Sequence, residues 1–334
     1  MSQVRIWTKA ALKKIDFIGV GQKTCPDVTL KPGIIQREET MTNISKSFGI
    51  FVAFFLASCV HHDSSSAGVS LLMDPSAGPG VPTILAPGTV NTAANREIEG
   101  MFGADMDTFY FIRRPWGEGS AANALIELKY QDDQWHESVI MEGVSEPSIA
   151  PDGKTIFFKN MYAERTPDGW SDLKRIGAPL DEIDIMRLSE ATSGTVYFDT
   201  FTPDLDMPLR YSRFVNGKYQ TPTVLGAQFG VGTYNAHPFI APDESYVIWD
   251  SRRPDGYGSS DLYISFRGED GAWGPAINMG GEINSSQPEN YPSVSPDGKF
   301  LIFDRRGNKR AGGERSVEIL WVDAQVIETL RREN

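Results

Sequence analysis

Apolar residues in this chain gather in short continuous runs rather than in helical stripes. Five of these runs end on an aromatic: Phe111 in "DTFYF", Phe158 in "GKTIFF", Phe198 in "GTVYF", Trp249 in "SYVIW" and Phe303 in "KFLIF". The aromatics are spaced 47, 40, 51 and 54 residues apart. Runs of four to six apolar residues bounded by turn formers predict strands buried on both faces. Three runs follow a proline, a short strand and a Pro-Asp pair, in "EPSIAPDG", "HPFIAPDE" and "YPSVSPDG"; "FGADMD" and "LSEATSG" are worn copies in the same place. Proline fixes one dihedral, aspartate bonds its own backbone, and glycine accepts positive φ, so each copy reads strand, tight turn, strand. Asp152, Asp243 and Asp297 are therefore turn formers.

A third strand follows in each unit, at "ALIELKY", "NMYAER", "LRYSRF", "DLYISFR" and "EILWVD". A fourth is marked by Trp135, Trp170, Tyr219 or Trp273 with a glycine downstream. Four strands per period of this length is the signature of a β-propeller blade. The fifth unit lacks its fourth strand, but "VPTIL" near residue 81 matches "TPTVL" near 221. The predicted fold is therefore all-β, a single propeller of five four-stranded blades. The N-terminal segment supplies the outer strand of the last blade, closing the ring. A sixth blade would need sequence that the chain does not offer. Trp135, Trp170 and Trp273 recur at one place in the unit, which favours packing between blades over stacking on sugars.

The passages "SPDGKFLIF", "APDGKTIFF" and "SRRPDGYGSSDLYISFRGEDGAWGPAINMGGEINSS" resemble the TolB-type β-propeller repeat, most closely that of exported bacterial lipoproteins. The resemblance covers about residues 81–323 and is strongest in the last two blades. It implies a fold and an exported location; propellers carry binding modules and enzymes alike.

The first eighty residues predict an address. In "MTNISKSFGIFVAFFLASC" (41–59) a lysine precedes an apolar run that is too short to span a bilayer but suits a signal-peptide core. Leu56-Ala57-Ser58-Cys59 resembles the bacterial lipobox, which implies lipidation of Cys59, stable anchoring and an outer-membrane lipoprotein facing the periplasm or the cell surface. Residues 41–58 would then be the signal peptide, 59–80 a flexible tether and 81–334 the propeller. Residues 1–40 are read as a disordered upstream extension that a start at Met41 would leave out. Removing residues 1–58 takes away eight Lys/Arg and four Asp/Glu, so the formal charge moves from −12 to −16. Such an acidic domain argues against a nucleic-acid partner, which asks for a basic stripe.

Candidate chemistry concentrates just after the second strand, where the chain holds Arg113-Arg114, Lys159-Asn160, Asp199, Asp250-Ser251-Arg252-Arg253 and Asp304-Arg305-Arg306. In a propeller these loops share a face with the residues leading into the next blade, among them Glu146, His237 and Tyr291. The candidate ligand-binding set is Arg113, Arg114, Glu146, Asp199, His237, Asp250, Arg252, Arg253, Tyr257, Tyr291, Asp304 and Arg305. A structural reading of the same residues is inter-blade salt bridging. No catalytic residue is nominated, since nucleophile motifs are absent. Neither a metal site nor a cofactor is predicted: the propeller holds only His136 and His237, and no cysteine. The expectation is a monomeric, lipid-anchored, non-enzymatic module binding an envelope protein or glycan. The alternative is a carbohydrate-active hydrolase or lyase, with acid pairs such as Glu146 and Asp199 or Asp250 across the channel.

Overall fold

The computed structural model describes residues 64–73, 78, 80–117, 122–309 and 315–334. The expectations for residues 1–40, for the signal peptide and for Cys59 lie outside them. The chain divides into two units, Met1–Cys59 and Val60–Asn334.

Five antiparallel four-stranded blades follow one another in the chain. Blade one holds Asn95–Phe102, Thr108–Pro115, Ala124–Gln131 and Gln134–Glu142. Blade two holds Pro147–Ile149, Thr155–Phe158, Met161–Thr166 and Lys174–Arg175. Blade three holds Ile185–Glu190, Val196–Thr200, Arg210–Ser212 and Thr223–Val224. Blade four holds Thr233–Ile240, Tyr246–Arg252, Asp261–Phe266 and Ile277–Asn278. Blade five takes Glu289–Val294, Phe300–Lys309 and Arg315–Asp323 from the end of the chain, and Thr83–Ile84 from its beginning. Thr83 pairs with Trp321 and Ile84 with Leu320, so "PTIL" is the missing fourth strand. Asn91 extends the clasp: its side chain donates to the Leu85 and Ile319 carbonyls and accepts from the Ile319 N–H.

The first strands touch one another in cyclic order, which makes them the wall of a central channel. Five apolar clusters lie between the blades, one for each neighbouring pair. Each second strand is packed on both faces, which is why its run is continuous rather than alternating. Trp249, Phe109, Phe111, Phe198 and Phe303 are fully buried there. At roughly 1.5–3 kcal/mol for each large apolar side chain removed from water, these interfaces are the main cohesive force between blades. Trp170 meets Tyr110 of blade one edge-on at 6.3 Å, and Trp273 meets Tyr197 of blade three at 6.2 Å, as inter-blade packing requires.

The turn aspartates behave as expected. Asp152, Asp243 and Asp297 each accept the N–H two residues on. Gly153 and Gly298 take the positive φ that ends the turn, and in blade four Glu244 holds the same place at φ 60°. Its carboxylate is held by Tyr197 of blade three and Arg267 of blade four, which offsets the strain.

Three details differ from the sequence expectation. Within the expected tether, Ser64–Leu72 is a helix whose Val69 and Leu72, with Met73 just beyond it, join the cluster between blades five and one. The alternation of small polar and apolar residues there conceals a packed face. Trp135 reaches this helix rather than a blade, donating from Nε1 to the Gly68 carbonyl at 3.0 Å. At the C-terminus, Gln325–Glu333 form a helix that seats Val326, Ile327 and Leu330 against blades four and five. Finally, Trp170, Tyr219 and Trp273 precede their outer strands by a few residues. They lie in short extra pairings, Arg165↔Trp170, Phe214↔Tyr219 and Arg267↔Trp273, that fold over the third strand.

Candidate functional site at the channel

One position in each first strand is set apart. Glu99, Glu146, Arg187, His237 and Tyr291 occupy equivalent places, each immediately before Gly100, Pro147, Leu188, Pro238 or Pro292. In four blades the strand pairing shifts register across this place, as a β-bulge does. Four of the five residues adopt positive φ: Glu99 63°, Glu146 60°, His237 50° and Tyr291 56°. A bulge turns its residue out of the ladder, so five side chains are aimed into the channel and close it at the waist. All five are buried.

Carboxylates hold the bulges in place. Asp199 accepts the Arg187 N–H at 2.7 Å on one oxygen and the His237 N–H at 2.8 Å on the other, joining blades three and four. Asp304 of blade five takes the Glu99 N–H with both oxygens, at 3.2 and 3.0 Å. Blade one has Ile112 in the place of these aspartates, and the Glu99 side chain substitutes by accepting the Glu146 N–H at 2.6 Å. Asp250 accepts from His237 Nδ1 at 2.6 Å, Asn290 Nδ2 at 2.7 Å and Ser260 Oγ at 3.1 Å.

The waist is strongly polarised. Burial first, then the neighbouring Glu99, raises the Glu146 carboxyl to about 8, against the pull of His237 and Arg187. Burial alone would depress His237, but Asp250, Glu146 and Asp199 outweigh it and raise the imidazole to about 9. Burial and Glu99 thus favour the protonated form of Glu146, whose Oε1 accepts from the Tyr291 hydroxyl at 3.2 Å, and Asp250 favours the protonated form of His237. The His237 and Tyr291 rings lie 3.9 Å apart. Glu146 Oε2 and His237 Nε2, 3.9 Å from one another, have no hydrogen-bond partner, and neither does Arg187 Nη1.

The ring separates two vestibules. On the side of the strand-one-to-two turns lies a cavity of about 310 Å3 whose wall includes Ile149, Pro151, Phe239, Pro242, Pro292 and Val294. On the opposite side, the mouth, a cavity of about 340 Å3 is lined by Arg96, Arg114, Arg306, Arg315, Tyr291 and Asp304. The mouth lies between blades five and one.

The twelve candidates divide accordingly. Glu146, Asp199, His237, Asp250, Tyr291 and Asp304 converge on the waist, and Arg114 reaches the mouth while pairing with Glu99 at 2.8 Å. Arg113 and Arg305 instead stitch their own blades. Arg113 pairs with Glu97 and with Glu137, and Arg305 with Glu289 at 2.7 Å. Ser251 makes the corresponding bond to Asn235 in blade four. Arg253 packs over Tyr263 at 4.3 Å and donates to the Gln228 carbonyl. Arg252 lies over Tyr234 at 4.4 Å, and Tyr257 is exposed on its loop; neither lines the mouth cavity. The candidate set omits Glu99 and Arg187, because blades one and three lack the proline that marks the place; aligning the worn copies by their turns would have found both. It also omits Arg306, the second arginine of its pair, and Arg96 and Arg315, which face the mouth from neighbouring strands. Among the described residues no group of three or more His, Cys, Asp or Glu is placed to hold a metal ion.

The repeat and the five closed blades make this chain a five-bladed β-propeller. No protein-family model matches the sequence, and no curated protein does. Among solved structures the chain is similar to TolB from Acinetobacter baumannii, at 16% identity and a TM-score of 0.44 over 70% of this chain, and it spans 56% of that protein. It is also similar to a putative TolB from Agrobacterium tumefaciens, at 15% identity and a TM-score of 0.42 over 69% of this chain and 77% of that one. The catalytic domain of a Coprinopsis cinerea GH62 α-L-arabinofuranosidase compares at 8% identity and a TM-score of 0.46 over 74% and 96% of the two chains. These likenesses concern general shape, and none bears on a ligand.

Proposed function

We propose that this chain is a lipid-anchored envelope propeller that serves as a non-enzymatic binding module for a protein or glycan partner, meeting it at the mouth between blades five and one. The address rests on the lipobox-like sequence ending at Cys59; among the described residues no helix is long and apolar enough to cross a membrane.

The observation that supports binding over catalysis is the engagement of the channel carboxylates. Glycoside hydrolysis needs two carboxyl groups free to meet a sugar, set roughly 5–5.5 Å or 6.5–9.5 Å apart. Here Glu99, Asp199, Asp250 and Asp304 have both oxygens occupied by donors from the protein itself. Glu146 keeps one unpartnered oxygen, enclosed at the waist. A single free acid favours the binding reading over the hydrolytic one.

The test is cross-linking in intact cells followed by capture through a C-terminal tag, comparing the native chain with an Arg96→Gln, Arg306→Gln double variant. Asp250 and Asp304 are unsuitable for this purpose, because their carboxylates hold the waist together. A partner captured by the native chain and lost in the variant supports the reading. Hydrolysis of an envelope glycan by the purified chain, abolished by Glu146→Gln, would replace it.

A further inference from the structure

We propose that the mouth is an oxyanion site: its four arginines take a carboxylate or phosphate group carried by the ligand. This deepens the binding-module reading and rests on it. The first argument is charge. The chain carries a formal −12, yet Arg96, Arg114, Arg306 and Arg315 line one cavity of about 340 Å3. Asp304 accepts the Glu99 N–H, and Glu99 pairs with Arg114 and accepts the Glu146 N–H. Four guanidinium groups therefore share one cavity within an acidic protein.

The second argument is register. Arg96 and Arg114 are directly opposed across the first two strands of blade one. Two guanidinium groups so placed can be bridged by one bound oxyanion. Arg114 retains a buried Nε with no partner. Arg306 enters from blade five and adds its charge beside Asp304. Guanidinium forks match the planar geometry of carboxylate and the tetrahedral oxygens of phosphate, in which each contact is a charge-assisted hydrogen bond. The third argument is size. The cavity is at the small end of ligand sites, so it suits a single sugar acid or phosphate group rather than a length of chain.

The repeat shows how the site arose. In the Arg-Arg pairs of blades one and five, adjacent residues point to opposite faces of the strand. The first arginine, Arg113 or Arg305, pairs with the buried glutamate two residues before the bulge, and the second, Arg114 or Arg306, lines the mouth. Blades two and three have no such pair, and the pair of blade four, Arg252 and Arg253, lies over Tyr234 and Tyr263 outside the mouth cavity.

The experiment is isothermal titration of the purified full chain with inorganic phosphate and, separately, with glucuronate, at low and at physiological salt. The native chain is expected to bind at least one probe saturably, more weakly as salt rises. Arg306→Gln and Arg315→Gln are each expected to weaken that binding about tenfold. Arg252→Gln, the equivalent arginine outside the cavity, should leave it within about twofold. A preference for phosphate or for glucuronate identifies the source of the oxyanion. Saturable binding of neither probe overturns the assignment, as does an equal effect of all three substitutions. Unfolding midpoints of the variants separate lost binding from lost folding. If capture in cells depends on Arg306 while neither probe binds, the binding module stands and the oxyanion site falls. If a probe binds and no partner is captured, the reverse holds.

Discussion

The two vestibules of the channel differ in build as well as chemistry: the lower one draws on all five blades, the mouth on blades one and five alone. Below the waist, prolines and apolar side chains dominate a wall that also carries Ser148, Arg187, Ser189 and Glu190; the mouth sets four arginines with Tyr291, Asp304, Ile98 and Val317. The difference follows from what the repeat needs. Positions after the bulge residue must carry the chain into the Pro-Asp turn, so blades two, four and five repeat the same proline-rich phrase there. Positions before it, and those that end the second strand, have no such duty. They hold Ile98 and Arg114 in blade one, Ala236 and Arg252 in blade four, and Asn290 and Arg306 in blade five. The lesson is that individuality in this propeller resides where the repeat makes no demand, on the mouth side of the ring.

The sharpest way to break this comparison is to remove what separates its two halves. Asp199→Ala leaves the buried N–H groups of Arg187 and His237 without an acceptor. At roughly 1–3 kcal/mol for each buried unsatisfied donor, a loss of about 4 kcal/mol is expected in urea unfolding. Asp199→Asn keeps one acceptor and should fall between. A loss below about 1 kcal/mol would mean that the bulges hold themselves.

Next come the paired arginines. Arg305→Ala strands Glu289, which is fully buried, and should cost about 2–3 kcal/mol. Arg306→Ala, one residue on, should change stability by less than about 0.5 kcal/mol and act on binding instead. Equal costs would remove the distinction between a stitching arginine and a mouth arginine.

The waist also predicts a pH dependence. Both His237 and Glu146 have folded pKa values raised above their unfolded ones, so the native state binds more protons and stability declines as pH rises. The contribution of His237 is fully present below about 6.5 and is lost as pH climbs through about 9. That of Glu146 is present below about 4.5 and is lost through about 8. Unfolding free energy should therefore fall between pH 6.5 and 9, with a slope of at most ~1.4 kcal/mol per pH unit from each group. His237→Gln should flatten the upper part of this window. A stability that rises across it would show that the carboxyl and imidazole are not held as described.

Much of this was legible in the sequence, for physical reasons. A strand buried on both faces must be continuously apolar, and a turn of this kind needs its proline, aspartate and glycine, so blade number, turn aspartates and the N-terminal clasp could be counted directly. The waist was legible in part. Glu146, His237 and Tyr291 stand before a proline and could be found; Glu99 and Arg187 stand before Gly100 and Leu188 and could not be found by that mark. The fate of the arginines was least legible. Whether Arg113 or Arg114 faces the mouth depends on which side of a twisted strand each occupies and on a glutamate sixteen residues earlier, Glu97, that ranks as one acid among many until the blade is folded. Both helices escaped because their apolar faces pack on blades distant in sequence.

The smallest expected effect places the site around the ring. Arg252 occupies in blade four the place that Arg114 and Arg306 hold in blades one and five, but it lies over Tyr234 at 4.4 Å, outside the mouth cavity. An exposed cation–π contact is worth about 0.5–1 kcal/mol. Arg252→Ala should therefore lower stability by no more than that and leave partner capture intact, whereas Arg306→Ala should do the opposite. If Arg252→Ala abolishes capture and Arg306→Ala does not, the binding face belongs on blade four, beside the exposed Tyr257, and the arginines between blades five and one serve the fold. The two substitutions remove the same side chain from equivalent positions, so a difference between them can come only from what each position faces.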